Sequence, residues 1–240
     1  MSNSIKELGG SLLEHITELV IRIRYSAIAL AIGCAVGIAI AQPTLAFLIA
    51  PYGGKLQVLG PTEGVSIYVR VALTVGTAIA SPFVLYHLIA FISPGLLPHE
   101  KRAVYLVVPG AILMFVIGAF FAWFIMIPSA IQFLASFYSD VFQVQWTAEK
   151  YVPFVLSLTL WVGVAFEMPL VFMFLGWLGI VNAGMLLKGW RFAIVGCAVI
   201  AAIITPTVDP FNMALVMGPL LGLYFMSIIL VWIVSRRKRK

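Results

Sequence analysis

A few positions in this chain carry residue types that can do chemistry. His99-Glu100-Lys101-Arg102-Ala103 begins like a zinc-protease helix, in which a second His must follow four residues after the first to share its face. Ala103 occupies that position, so the metal-site match fails. His15 and His87 offer no ligand pairing by spacing, and no Gly-x-Ser-x-Gly elbow or phosphate-binding loop is present. Neither an enzyme nor a metal or cofactor site is expected.

The carboxylates are more informative. Ser11-Leu12-Leu13-Glu14 reads as a capping box that starts a helix. Leu12, Ile16 and Leu19 then share one face, while Glu14 and Glu18 share the opposite one, followed four residues on by Arg22. One reading pairs Glu18 with Arg22 within the helix. The other makes Glu18 part of an acidic face awaiting a cationic partner, since helices lying on membranes usually carry Lys or Arg on the polar side. Glu100, after Pro98, suits the first turn of a helix, where an acid meets the dipole favourably. As a cation-binding carboxylate it would instead flank one groove together with Glu18. Asp209, in Thr-Pro206-Thr-Val-Asp-Pro, fits a local turn role.

Glu167 lies in Val-Ala-Phe-Glu-Met-Pro and is the only charge between Tyr151 and Leu187. An ionised group left in lipid costs several kcal/mol (about 2.5–3.5 on insertion scales). Glu167 must therefore face protein or a wet concavity. Pro169 cannot donate to the carbonyl of Ala165, so a bent helix with an unpaired acceptor near the carboxyl is expected.

The elements that position these groups are membrane spans. Of 240 residues 62% are hydrophobic and 10% charged, against about 25% charged in soluble domains. Crossing the hydrocarbon takes about 20 apolar residues. Six runs approach this, at 25–42, 66–92, 103–127, 151–176, 190–205 and 212–234, the fifth being short. They predict one all-α membrane domain over 1–240. Twelve of the fifteen Lys and Arg fall on the side that holds both termini, including the tail Arg236–Lys240. That asymmetry makes both ends cytoplasmic, and it reads the tail as a contact for anionic lipid rather than nucleic acid. Gln42-Pro43 and Pro128-Ser129 read as turns, Pro82, Pro109, Pro169 and Pro219 as bends. Gly33-x-x-x-Gly37 and Gly218-x-x-x-Gly222 read as close helix contacts. Cys34 and Cys197, both in apolar runs, are expected to be free thiols.

Together these segments resemble the TatC family, the core receptor subunit of twin-arginine protein translocases. His15-Ile16-Thr17-Glu18-Leu19 followed by Arg22 matches the family's opening motif. Pro94, Leu96, Glu100, Lys101 and Arg102 match its cytoplasmic loop, with Leu97 where an aromatic is usual. Phe166, Glu167 and Pro169 match its fourth span, and Thr205, Pro206 and Asp209 its outer turn. Four motifs in order, from about Ser11 to Trp232, are specific in combination. Where the family's last span commonly carries Leu-Tyr-Glu, this chain has Leu223-Tyr224-Phe225, which leaves Glu167 as the only acid deep in the bundle.

The resemblance implies a six-helix, glove-like bundle in a prokaryotic cytoplasmic (inner) membrane. It implies docking of folded cargo through twin-arginine signal peptides on the cytoplasmic side, with Glu18 and Glu100 as the arginine site. It also implies TatB- and TatA-like single-span partners, self-association in a larger complex, and transport driven by the proton-motive force. Glu167 would then be a polar switch or partner contact. The rival expectation is a secondary transporter or proton-conducting protein that uses Glu167 as a relay, although His87 is the only further candidate for such a chain.

Overall fold

The computed structural model describes residues 2–52, 56–92, 101–136, 145–205 and 210–237. Among these the α-helices are α1 (Ser2–Ile49), α2 (Glu63–Ile92), α3 (Lys101–Phe121), α4 (Ile127–Ser136), α5 (Ala148–Phe166), α6 (Met168–Leu178), α7 (Ala183–Lys188), α8 (Trp190–Ile204) and α9 (Pro210–Arg237). Five runs are long and apolar enough to cross a membrane: Ile16–Tyr52, Glu63–Ile92, Val108–Ser136, Ala148–Leu178 and Pro210–Arg236. The sixth, α8, has 15 residues. At 1.5 Å per residue it is about 22 Å long, short of the ~30 Å hydrocarbon, as its sequence predicts.

Hydroxyls inside the spans bond to their own helix. Thr44 donates to Ile40 O (2.8 Å), Thr159 to Val155 O (2.9 Å) and Ser227 to Leu223 O (2.7 Å). Lipid offers no other acceptor, so this internal bonding lets polar residues sit in apolar spans.

Two turn assignments from the sequence are corrected. Helix α1 continues through Gln42-Pro43 to Ile49. The third span also continues past Pro128. A π-turn at Ala122–Met126, in which Ile127 N–H reaches back five residues to Ala122 O, leads directly into α4. Proline ends helices in water, but in lipid freed carbonyls are accommodated by local π adjustments and hydroxyls; Pro128 frees Phe124 O, beside the π-turn, and the next carbonyl, Ile125 O, accepts from Ser129 at 2.7 Å. The capping-box assignment also fails, because α1 is already under way at Ser2 and Ser11 lies inside it.

Helix α1 packs along α2 more extensively than any other pair, and α2 in turn packs on α5 and α3. The α1–α2 seam explains Gly33 and Gly37: a methyl group on either would collide with the backbone carbonyl of Gly76 or Ala72. Gly118 of α3 and Gly163 of α5 meet similarly, a Cβ on Gly118 falling 2.9 Å from Gly163 Cα. Gly218 and Gly222 do not follow the same expectation. A Cβ on either meets nothing within 4 Å, because the spacing shows that a face is small without showing that another helix covers it. Helix α9 packs instead on α6 and α8. Both cysteines are free thiols, Cys197 buried and Cys34 half-buried.

Candidate functional site

Polar groups concentrate at three levels of the bundle. The end nearest Ile16 is called proximal and the end nearest Tyr52 distal. At the proximal end, Arg22 Nη2 donates to Glu18 Oε1 at 3.1 Å, one turn apart on α1, with both side chains about one-third exposed (29% and 32%). The within-helix pairing foreseen from the i,i+4 spacing is therefore present. Beside it, Tyr25 stacks on His87 of α2 with ring centroids 5.6 Å apart, and Tyr86 meets the same imidazole edge-on at 5.2 Å. The guanidinium of Arg24 lies 5.5 Å from the Tyr25 ring. His87 Nδ1 is buried without a hydrogen-bond partner among the described residues. Glu100, Pro206 and Asp209 lie outside the described residues.

The second level is Glu167. It falls at the break between α5 and α6, and its own N–H turns back to Val164 O at 3.0 Å. Pro169, at the start of α6, produces the break. The carboxyl is 4% exposed, so it faces protein. Its partner differs from the expected orphan carbonyl: Ser81 of α2 donates to Glu167 Oε1 at 3.2 Å, sharing its hydroxyl with Ala78 O at 3.1 Å. No ion-pair partner reaches Glu167 among the described residues.

The third level is distal and was not foreseen. Glu63, 7% exposed, opens α2. Its Oε2 accepts from the backbone N–H of Leu59 (2.7 Å) and Gly60 (3.1 Å), and its Oε1 accepts from Glu149 N–H at the start of α5 (2.9 Å). Gln57 completes the join: its amide donates to Gln145 Oε1 at 2.9 Å, and its backbone pairs with Thr147 in an isolated bridge. A glutamate ahead of an apolar run is a weak signal of helix capping, and the distant partner gives no signal at all.

Between the distal and middle levels, α1, α2, α3 and α5 line an open apolar groove of about 250 Å³, bordered by Thr44, Phe47, Thr74, Phe115, Trp123 and Leu160 among others. The hydroxyl of Thr44 is engaged by its own helix, so the wall it presents is apolar.

The model of the family described as Sec-independent protein translocase protein (TatC) matches residues 14–219. The chain is similar to the Sec-independent protein translocase protein TatC of Synechocystis sp., 40% identical over 216 residues that cover 90% of this chain and 85% of that protein. The TatC of Koribacter versatilis is 37% identical over 246 residues, covering 97% and 90%. A crystal structure of the twin-arginine translocase receptor TatC superposes with a TM-score of 0.82 at 38% identity, covering 92% of this chain and all of that one. The family match leaves only residues 1–13 and 220–240 outside it. This chain thus belongs to the TatC family of Sec-independent protein translocase proteins, and is a multi-pass membrane protein and core component of the twin-arginine translocase.

Proposed function

We propose that this chain is the component that receives twin-arginine signal peptides, with Glu18 and Glu100 taking the two guanidinium groups at a cytoplasmic proximal face. The observation that carries this is Glu18 itself: a one-third-exposed carboxylate that already holds a guanidinium at 3.1 Å. Arginine presents a planar fork that lysine cannot reproduce, so such a site discriminates between them. Both termini lie on the cytoplasmic side of an inner membrane, single-span TatB- and TatA-like subunits pack along the helices, and the proton-motive force drives transport. Glu167, enclosed and bonded to Ser81, acts as a switch between α2 and the α5–α6 break rather than as an open contact surface.

The test is binding of a labelled twin-arginine signal peptide to the purified full-length protein. A hydrogen bond to a charged group contributes about 1.5–3 kcal/mol, so Glu18→Gln and Glu100→Gln should each weaken binding roughly 10- to 100-fold. A Lys-Lys peptide that binds as well as the Arg-Arg peptide would refute the assignment.

A further inference from the structure

The carboxylate assigned to an incoming arginine is not vacant. Arg22 holds Glu18 Oε1 through a single N–H···O contact. A bidentate arginine–carboxylate pair uses both oxygens, so Arg22 on Oε1 competes with an incoming guanidinium for lone pairs and space and opposes it by like charge. The pair is partly exposed and of the i,i+4 type with Glu on the N-terminal side, an arrangement that stabilises only weakly. It can form in the free protein and still yield.

A second observation shows where Arg22 can go. His87 Nδ1 is buried with no hydrogen-bond partner among the described residues, and an unpaired buried polar atom is costly. The ring is fixed by stacking on Tyr25, three residues after Arg22 on α1, and by the edge of Tyr86. Arg22 lies close enough for its charge to act on this imidazole. Arg22 is therefore bonded to one acceptor on its own helix, Glu18, and within electrostatic reach of an unused one on α2, His87 Nδ1.

We propose that Arg22 is a resident competitor for the arginine site: it occupies Glu18 in the free protein and transfers to His87 Nδ1 when a substrate guanidinium takes the carboxylate. This presupposes that Glu18 takes substrate arginines. Resident competition multiplies the Kd of every ligand for Glu18 by the same factor, so Arg22 sets an affinity threshold without altering the preference for arginine over lysine. The pair's modest strength limits that factor to about two- to five-fold.

The experiment measures binding of Arg-Arg and Lys-Lys signal peptides to the full-length protein in nanodiscs at fixed low salt. Arg22→Gln should tighten both peptides by about two- to five-fold and leave their ratio unchanged. Arg22→Ala, which favours the helix, should do the same and serves if Gln disturbs α1. In a Glu18→Gln background neither change should have any effect. His87→Phe, which keeps the stack and removes the acceptor, should weaken the Arg-Arg peptide only while Arg22 is present. Weaker or unaltered binding in the Arg22 variants overturns the proposal, and so does a gain that survives in Glu18→Gln, which would indicate plain charge repulsion. Unaltered binding in His87→Phe overturns the transfer to His87. If Glu18→Gln alone leaves Arg-Arg binding intact, the arginine-docking function itself fails, a result distinct from all of these.

Discussion

Replacing Gly76 by Ala tests whether the α1–α2 seam is as tight as described. The added methyl would stand 2.5 Å from Cys34 Cα and 2.7 Å from Cys34 N. Carbon atoms rest at about 3.5–4.0 Å. The obstacle is backbone, which cannot rotate away, so the two helices must separate by about 1 Å. Overpacking of this kind costs typically 1–3 kcal/mol, and each kcal/mol lowers the melting temperature of a chain this size by about 2–4 °C. Gly76→Ala should therefore melt roughly 2–12 °C below the parent in the same detergent, followed by intrinsic fluorescence or light scattering. Gly218→Ala is the matched control. It lies in a helix, meets nothing within 4 Å, and gains up to about 1 kcal/mol of helix propensity, so it should melt at or above the parent temperature. If Gly76→Ala melts within about 1 °C of the parent, the seam is not closely packed and the reasoning is refuted.

Further outcomes are expected elsewhere. A double-mutant cycle on Ser81→Ala and Glu167→Leu, each of which removes the bond, should show a coupling of about 0.6 kcal/mol, typical of hydrogen bonds between membrane helices, and additive effects would mean that the two residues do not interact. Glu63→Gln leaves one acceptor oxygen for three backbone donors. The remaining oxygen can serve either Glu149 or the Leu59–Gly60 pair, so hydrogen exchange should accelerate on at least one side of the join, and unaltered protection at all three amides would rule it out. Gly179 adopts φ 78° after α6, a conformation that costs a residue with a Cβ roughly 1–2 kcal/mol. Gly179→Ala should lower thermal stability, and an unshifted melting temperature would contradict this.

What could be read from the sequence depended on the range over which each signal acts. The apolar runs are local, and so were found. Glu18 and Arg22 are one helical turn apart, and their pairing followed from spacing alone. Proline misled at Pro43 and Pro128 because its meaning as a helix stop is learned in water, whereas lipid makes continuing the helix the better way to satisfy the backbone. Ser11 misled because a capping box describes a possible start without excluding an earlier one. The Gly218 pattern misled because composition does not say which face is covered. The long-range contacts of Glu63 and Ser81 could not be read, since the partner in each lies 86 residues away.

Those last two contacts fix a register. Glu63 to Ser81 on α2, and Glu149 on α5 to Glu167 at its C-cap, are each 18 residues, which at 3.6 residues per turn is about five whole turns, or roughly 27 Å. Both helices run from the distal to the proximal end, so the two contacts are rungs joining parallel rails on matching faces. Deleting one residue from either rail between the rungs would turn one of its two rung residues about 100° away from its partner, whatever residue was removed. Only a compensating deletion in the other rail would restore both. In this part of the bundle chain length is therefore itself constrained, and α2 and α5 can change their length only together.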